Sequence, residues 1–226
     1  MFARLIEEAP MFFNYHNFVF IMEAMGRTLA MTVVGCSVGF FFGLLIAVLR
    51  QSSLPLLLPL RVLAIAFVET FRRIPFLVIL FIVLFVIEPL LPGTSLFGIA
   101  TVSICLLSTA FLSEIIRSGL ESVPRQQIES ARTLNFSSLQ MLFTVVLPQS
   151  WRVIVPPATA FIVMFIKDTS LASQLGVIEL TFAGKMLVNR GASPILGYGV
   201  ILMCYFALSY PLSRLSAYLE RRLASS

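Results

Sequence analysis

The sequence predicts an all-α integral membrane protein, and three observations support this fold class. Of the 226 residues, 58% are hydrophobic and only 12% are charged, whereas about a quarter of the residues in a soluble domain are charged. Leu29 to Leu49 form a stretch without a charged side chain, and about 20 apolar residues are enough for a helix to cross a bilayer. Further apolar runs follow, so that the series occupies about 28–49, 54–68, 74–91, 96–113, 141–166 and 195–212.

The second and third runs are expected to form one broken element from about 54 to 91. Phe71-Arg72-Arg73-Ile74-Pro75 separates them, and proline removes a backbone donor and disfavours helix at the residue before it. The second run is also short for a complete crossing. We therefore expect five membrane spans, with two separate spans in this region as the alternative.

Basic residues near the ends of membrane spans indicate the cytoplasmic side. They flank three polar breaks between the apolar runs: Arg50 and Arg61; Arg117, Arg125 and Arg132; and Arg214, Arg221 and Arg222. With five spans, two crossings separate each break from the next, so the N-terminus is expected outside and the C-terminus in the cytoplasm. The excess of 16 Lys and Arg over 11 Asp and Glu thus reports orientation and does not indicate nucleic-acid binding.

The N-terminal segment does not resemble a cleaved signal peptide. Glu7 and Glu8 lie within the first ten residues, and no small-residue cleavage site follows a short apolar core. We expect the chain to be mature as written.

No catalytic or metal-binding residue is predicted. Cys36, Cys105 and Cys204 all lie in apolar runs without a CxxC pair, which is typical of buried structural thiols. The single histidine, His16, precedes the first apolar run, and no GxSxG or HExxH motif is present. We therefore interpret His16 as a surface or interface residue and not as a ligand or a base, and an intramembrane enzyme is not supported.

Three glycines in the first apolar run predict close helix packing. Gly35, Gly39 and Gly43 are spaced by four residues, which puts them on one helix face where a second helix can approach. The other explanation is that glycine is simply common in membrane helices.

The polar segment Ser122 to Gln140 is predicted to contain a short cytoplasmic helix. Pro124 suits the first turn, and Ile128, Ala131 and Leu134 or Asn135 share one face. Asn135 also tolerates the left-handed conformation that ends a helix, and Ser137 can cap the next one. By spacing alone, this helix would be expected to lie on the lipid surface.

The order of residues in this segment resembles the Glu-Ala-Ala loop of ABC importer permeases. Glu129-Ser130-Ala131 is followed at the family's spacing by Asn135 and by Val145-Val146-Leu147-Pro148. The resemblance extends over about residues 20–220. Over this range, the chain is similar to the polar amino acid uptake permeases of the histidine, arginine and glutamine type. The other matching segments are Phe67 to Pro75, Ala110 to Leu120, Leu147 to Arg152, Pro156-Pro157 and Lys167-Asp168-Thr169-Ser170-Leu171.

The resemblance implies a single transmembrane permease domain over residues 1–226, with the fold of a type I ABC importer and a coupling loop at about 122–140. It implies partners: a cytoplasmic ATPase dimer, a second permease that is identical or homologous, and an extracytoplasmic solute-binding protein, all at the bacterial inner membrane. The chain would need no cofactor of its own, because ATP and Mg²⁺ would be bound by the ATPase; Gly184-Lys185 does not complete a phosphate-binding loop. The residues implied in coupling are Glu129, Ser130, Ala131, Asn135, Leu147 and Pro148.

Two departures from the family pattern are visible. The loop has Ser130 and Asn135 where relatives have alanine and glycine, and both substitutions keep the residue small or tolerant of the left-handed region. After Pro156-Pro157, the chain has Ala160-Phe161 where many relatives have an Asn-Glu pair. The missing carboxylate argues against a cationic solute, unless the second permease supplies one.

Ionisable residues in the membrane spans or at their ends are candidates for the solute pathway, because such residues usually face protein or water. Glu114 and Glu69 each precede an arginine by three residues, Arg117 and Arg72, so an ion pair competes with solute contact. Glu88 is interpreted as structural.

Lys167, Asp168, Thr169 and Ser170 lie where a helix is expected to break, and broken helices line transporter cavities. A mutual ion pair between Lys167 and Asp168 is the alternative to solute contact. For the chain as a whole, the alternative function is an ion-gradient-driven secondary transporter, although the repeated halves that are typical of that class are not visible.

Overall fold

The computed structural model describes residues 12, 14–52 and 54–224, and every regular element among them is a helix. The expectation about Glu7, Glu8 and the absence of a signal peptide lies outside these residues. The helices are α1 (Tyr15–Gln51), α2 (Leu58–Arg73), α3 (Phe76–Leu90), α4 (Leu96–Glu121), α5 (Arg125–Thr133), α6 (Ser138–Met141), α7 (Leu147–Asp168), α8 (Leu180–Asn189) and α9 (Pro194–Ala224). Short 3₁₀ segments at Pro55–Leu57 and Thr169–Leu175 and a π-helix at Leu142–Val146 complete them.

The described helices provide four single candidate spans and one bent pair. α1, α4, α9 and the continuous segment Ser138–Leu175 are each long and apolar enough to cross a bilayer. The pair is Pro55–Arg73 with Phe76–Leu90, bent by 119°. The count is therefore five if this pair is one span, and the predicted break at Ile74-Pro75 is confirmed.

The bend at Pro75 follows from local chemistry. Pro75 has an extended backbone (φ −57°, ψ 139°) and immediately precedes α3, where its missing N–H removes no intrahelical hydrogen bond. A bend of 119° means that α2 and α3 do not form one straight crossing.

Two features differ from the sequence-based prediction. α1 begins at Tyr15, about a turn after the buried Phe12 and well before residue 28, and Asn14 caps it by accepting a hydrogen bond from the Asn17 N–H at 2.8 Å. Hydropathy located only the apolar part of this helix, because Glu23 and Arg27 interrupt the apolar pattern without ending the helix. The exposed His16 lies in its first turn. The second difference is α8 (Leu180–Asn189), which the sequence analysis did not predict.

The prediction of three buried thiols is confirmed for Cys36 and wrong for the other two. Cys36 is buried, whereas Cys105 and Cys204 are only partly buried, and all three are free thiols. Glu88 is exposed near the end of α3.

The chain divides into two compact units. The first, here called unit A, comprises Met1–Cys36, Ile74–Cys105 and Val163–Pro211; the second, unit B, comprises Ser37–Arg73, Leu106–Ile162 and Leu212–Ser226. Unit A contains a hydrophobic cluster built around Ile21, Ala24, Leu180, Leu187 and Ile201. Unit B contains one built around Ala47, Ile116, Leu120, Val146 and Ile154.

The glycines of α1 lie against α4 in both units, which confirms the predicted close packing. In unit A, a Cβ at Gly35 would overlap the side chain of Ile104. In unit B, a Cβ at Gly39 would overlap Ser108, and one at Gly43 would lie 2.9 Å from the backbone nitrogen of Ser113. A side chain at these positions would force the helices apart.

Candidate functional site

The polar loop in unit B folds as the sequence predicts. Pro124 precedes α5 with an extended backbone, and α5 then runs from Arg125 to Thr133. Asn135 has a φ of 57°, so it takes the left-handed conformation, and the Phe136 N–H donates to the Ala131 carbonyl at 3.2 Å in a C-terminal cap. Ser137 and Gln140 form a reciprocal capping box at the start of α6.

One face of α5 is anchored in the protein and the opposite face is open. Ala131 is buried, and Ile128 packs on the hydrophobic cluster that contains Val123, Val146 and Ile154. Leu134 is 69% exposed, so its predicted place on the buried face is wrong; the helix has already ended at Thr133. Glu129 and Ser130 are exposed on the surface of the loop, and the Ser130 hydroxyl donates to the Gln126 carbonyl at 2.8 Å.

The end of the loop motif coincides with a π-helix that the sequence analysis missed. The Leu147 N–H donates to the Leu142 carbonyl, five residues earlier. Pro148 follows; it has no N–H, and in an α-helix its ring would clash with the carbonyl of Thr144. The wider π turn relieves that clash. Proline in the first turn of a long apolar run was the signal that could have predicted it.

A second contact connects α5 with α7. The Gln149 side chain donates a hydrogen bond to the Gln127 side chain. Together with Ile128 and Ala131, this bond fixes α5 relative to the start of α7 within unit B.

Unit B also gathers ion pairs around Glu114. Its carboxylate accepts hydrogen bonds from Arg50 at 2.8 Å and from Arg117, which also bonds Glu121. Arg72 lies 3.6 Å from the same carboxylate. The predicted pair of Glu114 with Arg117 is confirmed, and Arg50 and Arg72 join it from other helices.

The predicted pair of Glu69 with Arg72 is wrong. Glu69 instead accepts a hydrogen bond from Arg73 at 2.6 Å, at a spacing of four residues. Arg72 is directed toward Glu114 and over the ring of Phe111, because α4 supplies a carboxylate and an aromatic face that spacing along α2 cannot reveal.

In unit A, the helix breaks where Lys167 to Ser170 predicted a break. α7 ends at Asp168, a 3₁₀ segment covers Thr169–Leu175, and Gly176 ends it with a φ of 88°. Thr169 is buried and its hydroxyl donates to the Ile166 carbonyl at 2.7 Å. Lys167 and Asp168 do not form the alternative mutual ion pair, since neither belongs to a salt bridge among the residues described.

Two of these residues line an open cleft of about 390 Å³. Lys167 and Ser170 contribute an ammonium and a hydroxyl group, and α8 and α9 contribute further hydroxyls. The other lining residues are Thr181, Tyr198, Ile201, Leu202 and Tyr205. The cleft therefore combines one cation and several hydroxyl groups with a lining that is mostly apolar.

Beside this cleft lies Glu179, a fully buried carboxylate that the sequence analysis did not identify. It caps α8 by accepting hydrogen bonds from the backbone N–H groups of Thr181 at 2.9 Å and Phe182 at 2.8 Å. The Tyr205 hydroxyl donates to it at 2.8 Å. Burial raises the pKa of Glu179, and these donors partly offset the effect. Gly176 followed by an acid and a ten-residue amphipathic pattern was the available signal.

Known proteins resemble this chain over most of its length. The "Probable glutamine ABC transporter permease protein GlnP" of Bacillus subtilis (strain 168) is 33% identical over 213 residues, which is 93% of this chain and 96% of the relative. The "L-cystine transport system permease protein TcyB" of the same organism is 34% identical over 197 residues, 87% of this chain and 83% of the relative.

Solved structures share the fold. An amino acid ABC transporter crystallised with histidines has a TM-score of 0.82 at 24% identity, covering 98% of both chains. The inward-facing MetNI methionine ABC transporter has a TM-score of 0.79 at 22% identity, covering 93% of this chain and 99% of that one. The all-α fold of an importer transmembrane domain is thereby confirmed.

The family profile described as "Binding-protein-dependent transport system inner membrane component" matches residues 39–225. That range contains the α5 loop, the Glu114 ion pairs and the cleft beside Glu179. On this match and on the two relatives, the chain belongs to the family of binding-protein-dependent transport system inner membrane components.

Proposed function

We propose that this chain is the permease subunit of an ABC importer that carries a polar amino acid into the cell and is powered by a cytoplasmic ATPase docked on α5. The loop that contains α5 is the observation that carries the proposal. It presents exposed Glu129 and Ser130 on a helix that is anchored from behind by Ile128 and Ala131.

The solute class rests on the relatives. The two whose names are given above are described as permeases for glutamine and L-cystine, both of which carry an amino and a carboxylate group. Phe161 is buried and stacks on Phe111 at 5.4 Å. The family pattern that the sequence resembles has a carboxylate at this position, so its absence favours a neutral amino acid over a cationic one.

The docking mechanism follows from rigidity. A partner that binds Glu129 and Ser130 would contact a helix whose buried face belongs to the core of unit B. Movement of the partner would therefore move this helix and the core together. Asn135 and the capping box at Ser137 fix the turn that follows α5, and Leu147 and Pro148 carry the motion through the π turn into α7. Ala131 contributes by filling the anchored face.

The assembly proposed around the chain has four further parts: a second permease, identical or homologous; a solute-binding protein outside; an ATPase dimer that binds ATP and Mg²⁺; and the lipid bilayer. The N-terminus is proposed outside and the C-terminus in the cytoplasm. Arg214, Arg221 and Arg222 in α9 favour that orientation, since basic residues concentrate on the cytoplasmic side.

For the solute pathway, we propose contact at Lys167 and Ser170, which line the cleft. Asp168 and the buried Thr169 would shape the helix break beside it. Glu114 and Glu69 form ion pairs with arginines. We therefore propose that they stabilise the packing of unit B and do not contact the solute.

A charge reversal tests the docking role. Glu129→Lys should abolish capture of the cognate ATPase in a pull-down and should abolish uptake. The substitution replaces a carboxylate that meets a donor on the ATPase by an ammonium group, which would repel a positively charged donor. Glu220→Lys is the matched control, since Glu220 is also exposed in unit B but lies in α9. Undiminished capture and uptake with Glu129→Lys would refute docking at this face.

The ion-gradient-driven carrier is not supported by the comparisons, because the family and its relatives are binding-protein-dependent and ABC systems. Uptake that requires ATP in vesicles without an ion gradient is the corresponding test.

A further inference from the structure

The ion pairs of unit B leave a positive charge uncompensated. Four arginines and three glutamates form the group, which therefore has a net charge of +1: Arg50, Arg72, Arg73, Arg117, Glu69, Glu114 and Glu121. Arg50, Arg73 and Arg117 each donate hydrogen bonds to a carboxylate. Arg72 forms the longest of these ion pairs, at 3.6 Å from Glu114.

Arg72 differs from the other three arginines in its carboxylate distance and hydrogen bonding, and its exposure lies between theirs. Its nearest carboxylate oxygen is 3.6 Å away, on Glu114, and among the residues the structure describes its guanidinium donates no hydrogen bond. Its side chain is 35% exposed, compared with 11% for Arg50, 26% for Arg117 and 79% for Arg73. Its donors are therefore accessible and unused.

An aromatic stack holds this guanidinium in place. The Arg72 Cζ atom lies 5.8 Å from the centroid of the Phe111 ring, and Phe111 stacks on Phe161 with an interplanar angle of 23°. A guanidinium over an aromatic face is stabilised through the ring while the N–H groups at its edge stay free to bind an anion.

We propose that Arg72 binds the carboxylate group of the transported solute as it passes unit B. A guanidinium with free donors recognises a carboxylate through two parallel hydrogen bonds. The proposal rests on the proposed function, because it requires a solute with a carboxylate group. It assigns solute contact to Arg72, whereas the sequence had suggested Glu69 and Glu114 as candidates for that contact.

The test uses the whole importer, with its ATPase and solute-binding protein, in proteoliposomes. Each of the common L-amino acids, radiolabelled, is first offered to the wild-type importer to find the one that is carried. The number of solute molecules carried per ATP hydrolysed is then compared between wild type, Arg72→Gln, Arg72→Lys and Arg73→Gln. Arg73→Gln is the matched control, because Arg73 is the next residue along α2 and forms only an exposed ion pair with Glu69.

We expect Arg72→Gln to keep ATP hydrolysis stimulated by the binding protein but to lower the number of solute molecules carried per ATP by roughly 10-fold or more, the factor that corresponds to one charge-assisted pair. Arg72→Lys should be intermediate, because it keeps the charge but loses the planar fork. Arg73→Gln should resemble wild type. A purely structural role for Arg72 would lower ATP hydrolysis and uptake together and leave their ratio unchanged.

Other outcomes separate the explanations. If the wild-type importer carries no amino acid, the proposed function and this inference both fail. If it carries one and both Arg72 variants keep the wild-type ratio, only the inference fails. If the Arg72 effect appears only when phosphatidylglycerol is added to phosphatidylcholine vesicles, Arg72 binds a lipid phosphate and the inference is overturned.

Assembly provides the last distinction. If size exclusion shows that neither Arg72→Gln nor Arg72→Lys assembles with the second permease, then Arg72 binds an anionic group of that subunit. The inference is then overturned. If only Arg72→Gln fails to assemble, Arg72→Lys decides the question: a lowered ratio supports solute binding and a wild-type ratio refutes it.

Discussion

Replacing Glu179 with alanine should destabilise the protein by an amount that follows from its three hydrogen bonds. Two of them cap the first turn of α8, through the N–H groups of Thr181 and Phe182, and loss of an N-terminal cap costs about 1 kcal/mol. The third comes from Tyr205, and a buried hydroxyl without its acceptor costs roughly 1–3 kcal/mol. Tyr205 is also 3.0 Å from the Thr181 hydroxyl, which can retain part of its bonding. The expected loss is therefore about 2–4 kcal/mol.

The assay is thermal unfolding of the purified protein in detergent. For a chain of this length, 1 kcal/mol corresponds to about 2–4 °C in Tm, so Glu179→Ala should lower the Tm by roughly 5–15 °C. Glu129→Ala is the control, because Glu129 is exposed and should leave the Tm unchanged. An equal Tm for Glu179→Ala and wild type would refute the reasoning that the carboxylate organises α8.

The pH dependence gives a second, independent result. Burial raises the pKa of Glu179 in the folded protein above its ordinary value, which is about 4.3. The stability that this group contributes is then fully present below the ordinary pKa and is lost as the pH rises through the folded pKa. Glu179→Gln, which cannot ionise, should remove this decline in Tm; an unchanged pH profile in that variant would contradict a raised pKa.

Three further predictions concern packing, coupling and the solute. Gly39→Val should lower the Tm and the yield, at a cost of roughly 1–3 kcal/mol for overpacking, whereas Gly26→Val in the same helix should be tolerated because a Cβ there meets nothing within 4 Å; equal yields and Tm values would contradict the close approach of α1 and α4. Pro148→Ala should let the π turn revert to α-helical bonding and lower uptake per ATP while ATPase capture persists, and normal uptake per ATP would show that the π turn is not needed for coupling. Lys167→Gln should weaken uptake of the carried amino acid more than ATP hydrolysis, since Lys167 supplies the cation of the cleft, and a parallel fall in both would indicate a structural role.

Features set by neighbours along the chain were predictable. The break at Pro75, the end of α5 at Asn135 and the cap at Ser137 each depend on the backbone preference or hydrogen bonding of one residue. The resemblance of the α5 loop to importer permeases likewise depends on residue order alone. The position of α5 and of the turn after it was therefore predictable to within a residue or two.

Features set by contacts between distant segments were not predictable in this way. Spacing suggested Arg72 as the partner of Glu69, but α4 brings Glu114 and Phe111 to Arg72 and leaves Arg73 for Glu69. Glu179 was overlooked because its burial depends on the packing of α8 and α9, with Tyr205 supplied from 26 residues later in the chain. Helix spacing describes one element, whereas these sites are assembled from several.

The most direct test of the account is ATP-driven uptake by the complete importer. The permease, its ATPase and its solute-binding protein are reconstituted in vesicles with ATP enclosed on the ATPase side, and ionophores collapse all ion gradients. We expect accumulation of a neutral polar amino acid, with radiolabelled L-glutamine as the first probe. This uptake should require ATP hydrolysis and should be abolished by Glu129→Lys but not by Glu220→Lys. Uptake that proceeds without ATP and requires an ion gradient, or uptake that survives Glu129→Lys, would contradict it.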